Sequence, residues 1–235
     1  MRRRELVCWS AVVVAAVAWW AVPWQPGMPP AWQAVRALPA ALLAGILGSA
    51  SPGVPARRLL ALALLIYGCG DLVIERWFLP GTGLFLLGHL LVIAVIWRRH
   101  RSAEQMEGAD HLRLGGLAVA GALLVAGLAP RLGGDYRWAV PAYAGALLAM
   151  AGSSQLSRRG RPWVPMGGAL FVLSDAILAL ERFGAVRSGA RWVWPLYVAA
   201  LVTIAGGWRY GREEAADDSG DGEPSVDLDG LSRGE

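Results

Sequence analysis

Two aspartates, Asp71 and Asp175, lie deep inside long apolar runs of the sequence, where ionisable side chains are rare. At membrane depth an ionisable group costs several kcal/mol of free energy unless it is paired or neutralised. A third acid, Glu75, lies near the end of its run beside Arg76, at a position typical of a membrane interface. Because an ionisable residue within a membrane segment is by default a functional candidate, Asp71 and Asp175 are the first candidates for acid–base chemistry. The alternative is a buried hydrogen bond between helices.

Three further polar side chains are candidates for supporting roles. His89 is the one histidine inside an apolar run, and Tyr143 begins another run. Ser174 precedes Asp175 and therefore points about 100° away from it on a helix, so we expect it to pack or to bond a helix carbonyl. A Ser174–His89–Asp71 triad remains an alternative. A zinc site is disfavoured because the runs supply one histidine and no cysteine cluster, and no metal or other cofactor is expected.

Eight apolar stretches, separated by connections rich in Pro, Gly and Arg, must position these side chains. A membrane-spanning helix needs about 17–25 mostly apolar residues, and several of the stretches are near the lower limit. They predict an all-α fold, an integral membrane bundle of about eight transmembrane helices. The stretches are 5–24, 36–50, 59–76, 81–97, 113–129, 137–152, 163–180 and 192–208.

The arginines predict the orientation of these helices. With a cytoplasmic N terminus, the inner side of the membrane receives 15 of the 22 basic residues, all of which are arginine, and the outer side receives seven. Positive charge concentrates on the cytoplasmic side of membrane proteins, and a wrong helix count would scramble the asymmetry. We therefore expect a multi-pass protein of the cell membrane with both termini cytoplasmic. A cleaved N-terminal signal peptide is the competing interpretation.

This topology places the candidate side chains at similar depths. At 1.5 Å per residue, Asp71 and Asp175 lie about 18–20 Å from the inner ends of their helices. His89 lies about 12 Å from the outer end of its helix, and Tyr143 is at a similar level. These groups from four helices are expected to converge on one polar cavity in the outer half of the bilayer.

The two ends of the chain differ sharply in composition. Residues 213–235 hold nine of the 18 acidic side chains, whereas residues 1–212 carry nine acids and 21 arginines. The acidic segment is too polar and too poor in aromatic residues to fold, so it is predicted to be a disordered cytoplasmic tail. Residues 1–212 are predicted to form the transmembrane domain, with membrane lipids around it and no nucleic-acid partner. The oligomeric state is not predicted by any feature of the sequence.

The third and seventh stretches are similar to each other. Each carries an aspartate and ends in Glu-Arg followed by an aromatic residue, at 75–77 and at 181–183. The eight helices are therefore consistent with two four-helix halves, with the site at the interface between them.

Three parts of the chain resemble the YhhN-like family of membrane proteins, which includes the lysoplasmalogenases. The motifs are Gly70-Asp71 with Phe78-x-x-Gly81-x-x-x-Phe85-x-x-x-His89, Pro141-x-Tyr143 with Met150, and Gly168-Ala169-x-Phe171-x-x-Ser174-Asp175-x-x-x-Ala179-x-x-x-Phe183. The family usually carries a glutamine after the tyrosine of its last helix, whereas Tyr197 is followed here by Val198. The family's eight-helix fold agrees with the count of apolar stretches.

The resemblance implies hydrolysis of the vinyl-ether bond of a lysoplasmalogen, a lysophospholipid, to a fatty aldehyde and a glycerophospho-alcohol. Protonation of the alkenyl carbon gives an oxocarbenium ion, a problem that glycosidases solve with two carboxyl groups. Asp71 and Asp175 are the expected acid and base, in an order that the sequence does not reveal. His89 is expected to polarise a carboxylate or hold a phosphate oxygen, and Tyr143 to donate to an aspartate. Phe85, Phe171 and Ser174 are assigned to substrate binding.

Two other classes of function remain open. One is a non-catalytic membrane protein that binds or transports a lipid or small molecule with the same aspartates. The other is a hydrolase of a different lipid ether or ester, because motifs do not determine the substrate. The preferred head group and chain are not predicted.

Overall fold

In a computed structural model of the protein, the residues that the structure describes form eight α-helices. The structure describes residues 3–21, 30–49, 55–98, 106, 108–157, 160, 162–185 and 190–211. The helices are α1 (Arg3–Ala21), α2 (Pro30–Ser49), α3 (Pro55–Val73), α4 (Phe78–Trp97), α5 (Gly108–Leu128), α6 (Tyr136–Gln155), α7 (Trp163–Arg182) and α8 (Ala190–Tyr210). A short 3₁₀ helix, Ala129–Arg131, follows α5. These ranges contain no β-strand, which confirms the all-α prediction. The predicted tail, residues 213–235, lies outside the described residues.

Three of the described helical segments are long and apolar enough to cross a membrane. They are Phe78–Trp97, Gly108–Arg131 and Trp163–Arg182. Their composition indicates association with a membrane, because an apolar helix of at least 18 residues is long enough to cross the hydrocarbon core of a bilayer. The count of eight spans and the orientation of the termini remain predictions.

Packing between the helices builds a compact bundle around α3, α4, α7 and α8. The helix pairs α7–α8, α2–α3 and α3–α4 have the most extensive contacts, α4 and α7 both pack on α6, and α5 packs chiefly against α6. Close approach depends on small residues, as in membrane bundles generally. A Cβ atom at Gly168 would lie 2.2 Å from the Oγ of Ser154, so only glycine permits the observed contact between α6 and α7.

The end of α3 differs from the predicted stretch 59–76. The helix ends at Val73, and the chain reverses through a turn at 74–76 before α4 begins at Phe78. The turn is tight because Gly81 of α4 packs on the backbone of Ile74. A Cβ atom at position 81 would lie 2.5 Å from the Cα of Ile74. Glu75 therefore lies in the turn rather than on the helical face that carries Asp71, and it is exposed.

Candidate active site

A cavity of about 470 Å³ lies among α3, α4, α5, α6, α7 and α8, with one contribution from α2. This volume is in the range of pockets that bind small ligands. Most of its wall is apolar, and α5 contributes only small and aliphatic residues between Ala120 and Leu128. The polar residues that line it include Arg36, Asp71, Glu75, Thr82, Tyr143, Ser174, Asp175, Arg182 and Tyr197.

Asp71 lies on the last full turn of α3 and is almost completely buried, with 3% of its surface exposed. The hydroxyl of Tyr197 on α8 donates a hydrogen bond to its Oδ2 atom over 2.9 Å. Tyr197 is itself 5% exposed, so this contact lies in a nearly dry part of the cavity wall. We call this pair the Asp71 arm.

Asp175 lies halfway along α7 and is the end of a longer chain of hydrogen bonds. The hydroxyl of Tyr143 on α6 donates to Oδ2 of Asp175. The Tyr143 oxygen also contacts Nε2 of His89 at 3.1 Å. The other ring nitrogen of His89, Nδ1, contacts the hydroxyl of Tyr67 on α3 at 2.8 Å. We call these four residues the Asp175 arm.

When Asp175 accepts the hydrogen bond from Tyr143, the other hydrogen bonds of the Asp175 arm can run in only one direction. A neutral imidazole has one donor nitrogen and one acceptor nitrogen. Since Tyr143 gives its proton to Asp175, Nε2 of His89 donates to Tyr143, and Nδ1 accepts from Tyr67. The opposite direction also satisfies the three contacts, with a protonated Asp175 donating to Tyr143 and Nδ1 donating to Tyr67. The two directions differ by one proton at the carboxyl group.

Aromatic rings hold the two arms against each other. Phe171 lies edge-on to His89, with ring centroids 4.8 Å apart, and edge-on to Tyr197 at 5.4 Å. Phe85 similarly packs edge-on to Tyr197 at 5.8 Å. A Cβ at Gly88 would lie 2.3 Å from the ring of Tyr67, so glycine at this position makes room for the far end of the Asp175 arm.

Each aspartate keeps one carboxyl oxygen for the cavity. Among the described residues, the side-chain hydrogen bonds to Asp71 and Asp175 go to Oδ2 only. Both side chains line the same cavity. The arrangement can therefore present two Oδ1 atoms to one bound molecule.

Ser174 also lines the cavity, but its hydroxyl is committed elsewhere. Its Oγ donates to the backbone carbonyl of Val193 on α8 over 2.8 Å, and its surface is fully buried. The contact ties α7 to α8, in agreement with the expectation that this serine bonds a helix carbonyl. His89 contacts two tyrosines rather than Ser174.

One part of the cavity lining is charged and reaches the surface of the protein, because Glu75 and Arg182 are exposed; we call it the mouth. Arg36 of α2 and Glu75 form an ion pair, and 40% of the Glu75 side chain is exposed. On the other side, the guanidinium of Arg182 lies over the ring of Phe78, 4.9 Å from its centroid. We define the mouth by these four residues, all of which line the cavity.

Of the residues singled out by sequence, five line the cavity, and two lie behind its wall. Asp71, Asp175, Tyr143, Ser174 and Phe85 are in the lining. His89 and Phe171 are fully buried and contact the lining residues. No group of three or more His, Cys, Asp or Glu side chains placed to share a metal ion occurs in the part of the chain that the structure describes.

The site contains several residues to which sequence reasoning assigned no role, among them two tyrosines and one arginine. Tyr67 and Tyr197 complete the two arms, and Arg36 pairs with Glu75 at the mouth. A signal existed for Tyr67, which precedes Asp71 by one helical turn. Tyr197 was visible only as the tyrosine of the last helix, and Arg36 only as an arginine on the outer side.

Helices that suit a membrane, enclosing an apolar cavity with two aspartates, define a membrane-associated helical protein with an internal acidic site. Comparison with known families matches residues 31–208 to the YhhN family. The chain therefore belongs to the YhhN family. No curated protein and no solved structure matches the chain.

Proposed function

We propose that this protein is a membrane lipid hydrolase that cleaves the vinyl-ether bond of lysoplasmalogens by paired-aspartate acid–base catalysis. The observation that carries the proposal is the pair of Asp71 and Asp175 in the wall of one apolar cavity, each fixed by a tyrosine at Oδ2. Membership of the YhhN family, to which the lysoplasmalogenases belong, supports the same reaction.

The chemistry requires one carboxylic acid and one carboxylate. The acid transfers its proton to the alkenyl carbon that is not bonded to oxygen, and the ether oxygen shares the resulting positive charge as an oxocarbenium ion. The carboxylate takes a proton from water as the water oxygen bonds to the cationic carbon. As the bond from the hemiacetal carbon to the glycerol oxygen breaks, the newly protonated carboxyl group gives its proton to that oxygen. The other carboxylate takes the hemiacetal hydroxyl proton, so the aldehyde is released and both groups return to their starting states. Glycosidases stabilise a similar cation with two carboxyl groups.

We assign the acid to Asp175 and the base to Asp71. When Asp175 delivers a proton from Oδ1 to the substrate, Tyr143 can donate a hydrogen bond to Oδ2 of the new carboxylate, and His89 and Tyr67 hold Tyr143 in that orientation. Hydrogen bonds to an ionised acceptor are about twice as strong as neutral ones. Tyr197 makes no second hydrogen bond among the described residues, so its hydroxyl is directed at Asp71, where it stabilises the carboxylate more than the protonated acid.

The apolar part of the cavity suits the hydrocarbon chain of the substrate. The α5 wall carries no charged side chain between Ala120 and Leu128. Helix α5 packs chiefly against α6, and Leu173 of α7 lines the cavity while half of its surface is exposed. The side of the cavity between α5 and α7 thus offers a path by which an alkenyl chain enters from surrounding lipid.

The test is aldehyde release from an alkenyl lysophospholipid by the purified full-length protein in detergent. Because general acid–base catalysis contributes about 10²–10⁴-fold, Asp71→Asn and Asp175→Asn are each expected to lose at least about a hundredfold in kcat. Asp135→Asn is the matched control, since Asp135 is exposed and is not in the cavity lining. Full activity in either cavity variant would contradict the paired mechanism.

Absence of aldehyde from every alkenyl lipid, with lipid binding retained, would instead favour the alternative of a non-catalytic lipid-binding or transport protein. In that case the same two variants should change binding rather than turnover. A thermal denaturation curve for each variant would separate either result from a loss of folding.

A further inference from the structure

The charged groups at the mouth of the cavity form a set that the proposed reaction at the aspartates does not use. Two guanidinium groups, from Arg36 and Arg182, and one carboxylate, from Glu75, line the same opening. They come from three different parts of the chain. Their formal charges sum to +1, and Glu75 and Arg182 are exposed, so a polar group can lie among them while an attached chain lies in the apolar interior.

Arg182 is held in place without a carboxylate. Its guanidinium lies over Phe78, and the side chain is exposed and makes no ion pair with any residue that the structure describes. Phe78 is itself packed against Phe183 and Tyr136, with ring centroids 6.3 and 6.0 Å away. A guanidinium stacked on an aromatic face keeps its N–H donors at the edge of the plane, where an anion can accept them.

Arg36 is held by Glu75 across the opening. Its side chain is 13% exposed, although the Glu75 side chain is 40% exposed. An exposed carboxylate in such a pair can turn to a cation on a ligand, and the guanidinium can then pair with an anion on the same ligand. The pair is thus complementary to a zwitterion.

The spacing between the mouth and the aspartates fits the backbone of a glycerophospholipid. In a 1-alkenyl lysophospholipid, five bonds separate the vinyl-ether oxygen from phosphorus, a span of about 6 Å when extended. Glu75 lies in the turn that follows α3, four residues after Asp71, and both residues line the same cavity. Asp175 and Arg182 are seven residues apart on α7, or about 10 Å. A phosphate at the mouth therefore leaves the alkenyl group near the carboxyl groups.

We infer that the mouth is a head-group site for a zwitterionic lysophospholipid, in which Arg36 and Arg182 bind the phosphate and Glu75 binds the ammonium group. This inference deepens the proposed function and rests on it for the identity of the lipid class. Bidentate recognition of a phosphate by arginine makes each guanidinium a strong contributor to affinity. The mouth binds the phosphate and the amine of the head group, and the two aspartates carry out the reaction.

Binding of uncleavable lipids tests the inference without requiring turnover. The probes are 1-O-alkyl lysophosphatidylethanolamine, 1-O-alkylglycerol and inorganic phosphate, each titrated into the full-length protein in detergent by calorimetry. Arg182→Gln is expected to weaken binding of the phospholipid at least tenfold and to leave binding of the alkylglycerol unchanged. Arg137→Gln is the control, because Arg137 lies on the first turn of α6, is exposed and is not in the lining.

A second variant addresses the ammonium group. Glu75→Gln is expected to lower the preference for lysophosphatidylethanolamine over an alkyl lysophosphatidic acid, which lacks the amine, by at least fivefold. Arg36→Lys keeps a cation beside Glu75, and it should weaken phosphate binding while the denaturation curve is retained. This variant separates a role in binding from a role in packing α2 on α3.

The outcomes separate the inference from the proposed function. Aldehyde release with the affinity and KM of Arg182→Gln unchanged would overturn the head-group site and leave the hydrolase intact. Phosphate-dependent binding without aldehyde release from any alkenyl lipid would support the site and overturn the hydrolase. Equal affinity for inorganic phosphate and for the phospholipid would overturn the assignment to a lipid.

Discussion

The Asp71 arm and the Asp175 arm place the same chemical group in two different settings. Asp71 is nearly completely buried and has one partner, Tyr197, whose hydroxyl makes no second hydrogen bond among the described residues. Asp175 is partly exposed to the cavity and ends a chain of three hydrogen bonds. Two carboxyl groups that perform different steps need different surroundings, and glycosidases show the same division. The difference here lies in the number of polar groups that are linked by hydrogen bonds behind each carboxyl group.

Substitution of the tyrosines is the most direct test of the difference between the Asp71 arm and the Asp175 arm. Tyr143→Phe removes the donor to Asp175 and also the partner of Nε2 of His89. A hydrogen bond to a charged group contributes about 1.5–3 kcal/mol, so kcat is expected to fall about ten- to hundredfold. Tyr197→Phe removes one bond and should reduce kcat by less. Steady-state aldehyde release measures both.

Tyr136→Phe serves as the control for removing a phenolic hydroxyl. Tyr136 packs against Phe78 and Phe183 near the mouth and is not in the cavity lining. Its variant should retain wild-type kcat. A larger loss for Tyr197→Phe than for Tyr143→Phe would reverse the assignment of acid and base.

Two glycines of α4, Gly88 and Gly83, allow a test of the Asp175 arm that changes only packing. Gly88→Ala would bring a Cβ to 2.3 Å from the ring of Tyr67, the far end of the Asp175 arm. Overpacking of this kind typically costs about 1–3 kcal/mol, and displacement of Tyr67 should lower kcat several-fold. Gly83→Ala on the same helix meets nothing within 4 Å and should preserve both stability and kcat. Thermal inactivation in detergent gives the stability difference, and identical curves for the two variants would argue against the packing of Tyr67 described above.

The smallest effect is expected at Ser174. Its hydroxyl bonds the carbonyl of Val193, so Ser174→Ala should cost about 1 kcal/mol of stability, as for an ordinary hydrogen bond. Its kcat should stay close to that of the wild type, whereas removal of a catalytic serine in a triad costs about 10⁶-fold. A loss of that size would support the Ser174–His89–Asp71 triad. Different catalytic roles for the two aspartates would then not be required.

Most of the fold was predictable because its signal is local. Each of the eight apolar stretches falls on one of the eight helices, since hydrocarbon-compatible runs of this length bury their backbone polar groups only as helices. The end of α3 was predicted three residues too late. The end of the helix depends on the packing of Gly81 of α4 against Ile74. The hydropathy pattern of the sequence does not reveal such a contact.

The candidate site was predictable in its residues but not in its connections. Asp71, Asp175, His89 and Tyr143 stand out because polar groups are costly among apolar neighbours. Which tyrosine serves which aspartate depends on the rotation of each helix about its axis. That rotation is determined by packing of residues distant in sequence, such as Tyr197 and Asp71, which are 126 positions apart.

The sequence by itself determined that the chain forms helices suited to a membrane and that two aspartates lie within them. It did so because burial of an ionisable group is an energetic anomaly that needs no partner to be recognised. Only the tertiary structure decided that Asp71 is hydrogen-bonded to one tyrosine and Asp175 to a chain through His89 to Tyr67, and that Arg36, Glu75 and Arg182 line the same cavity. Hydrogen bonds and ion pairs act over a few ångströms in specific directions, so they are determined by how the helices pack and rotate rather than by the order of residues along any one of them.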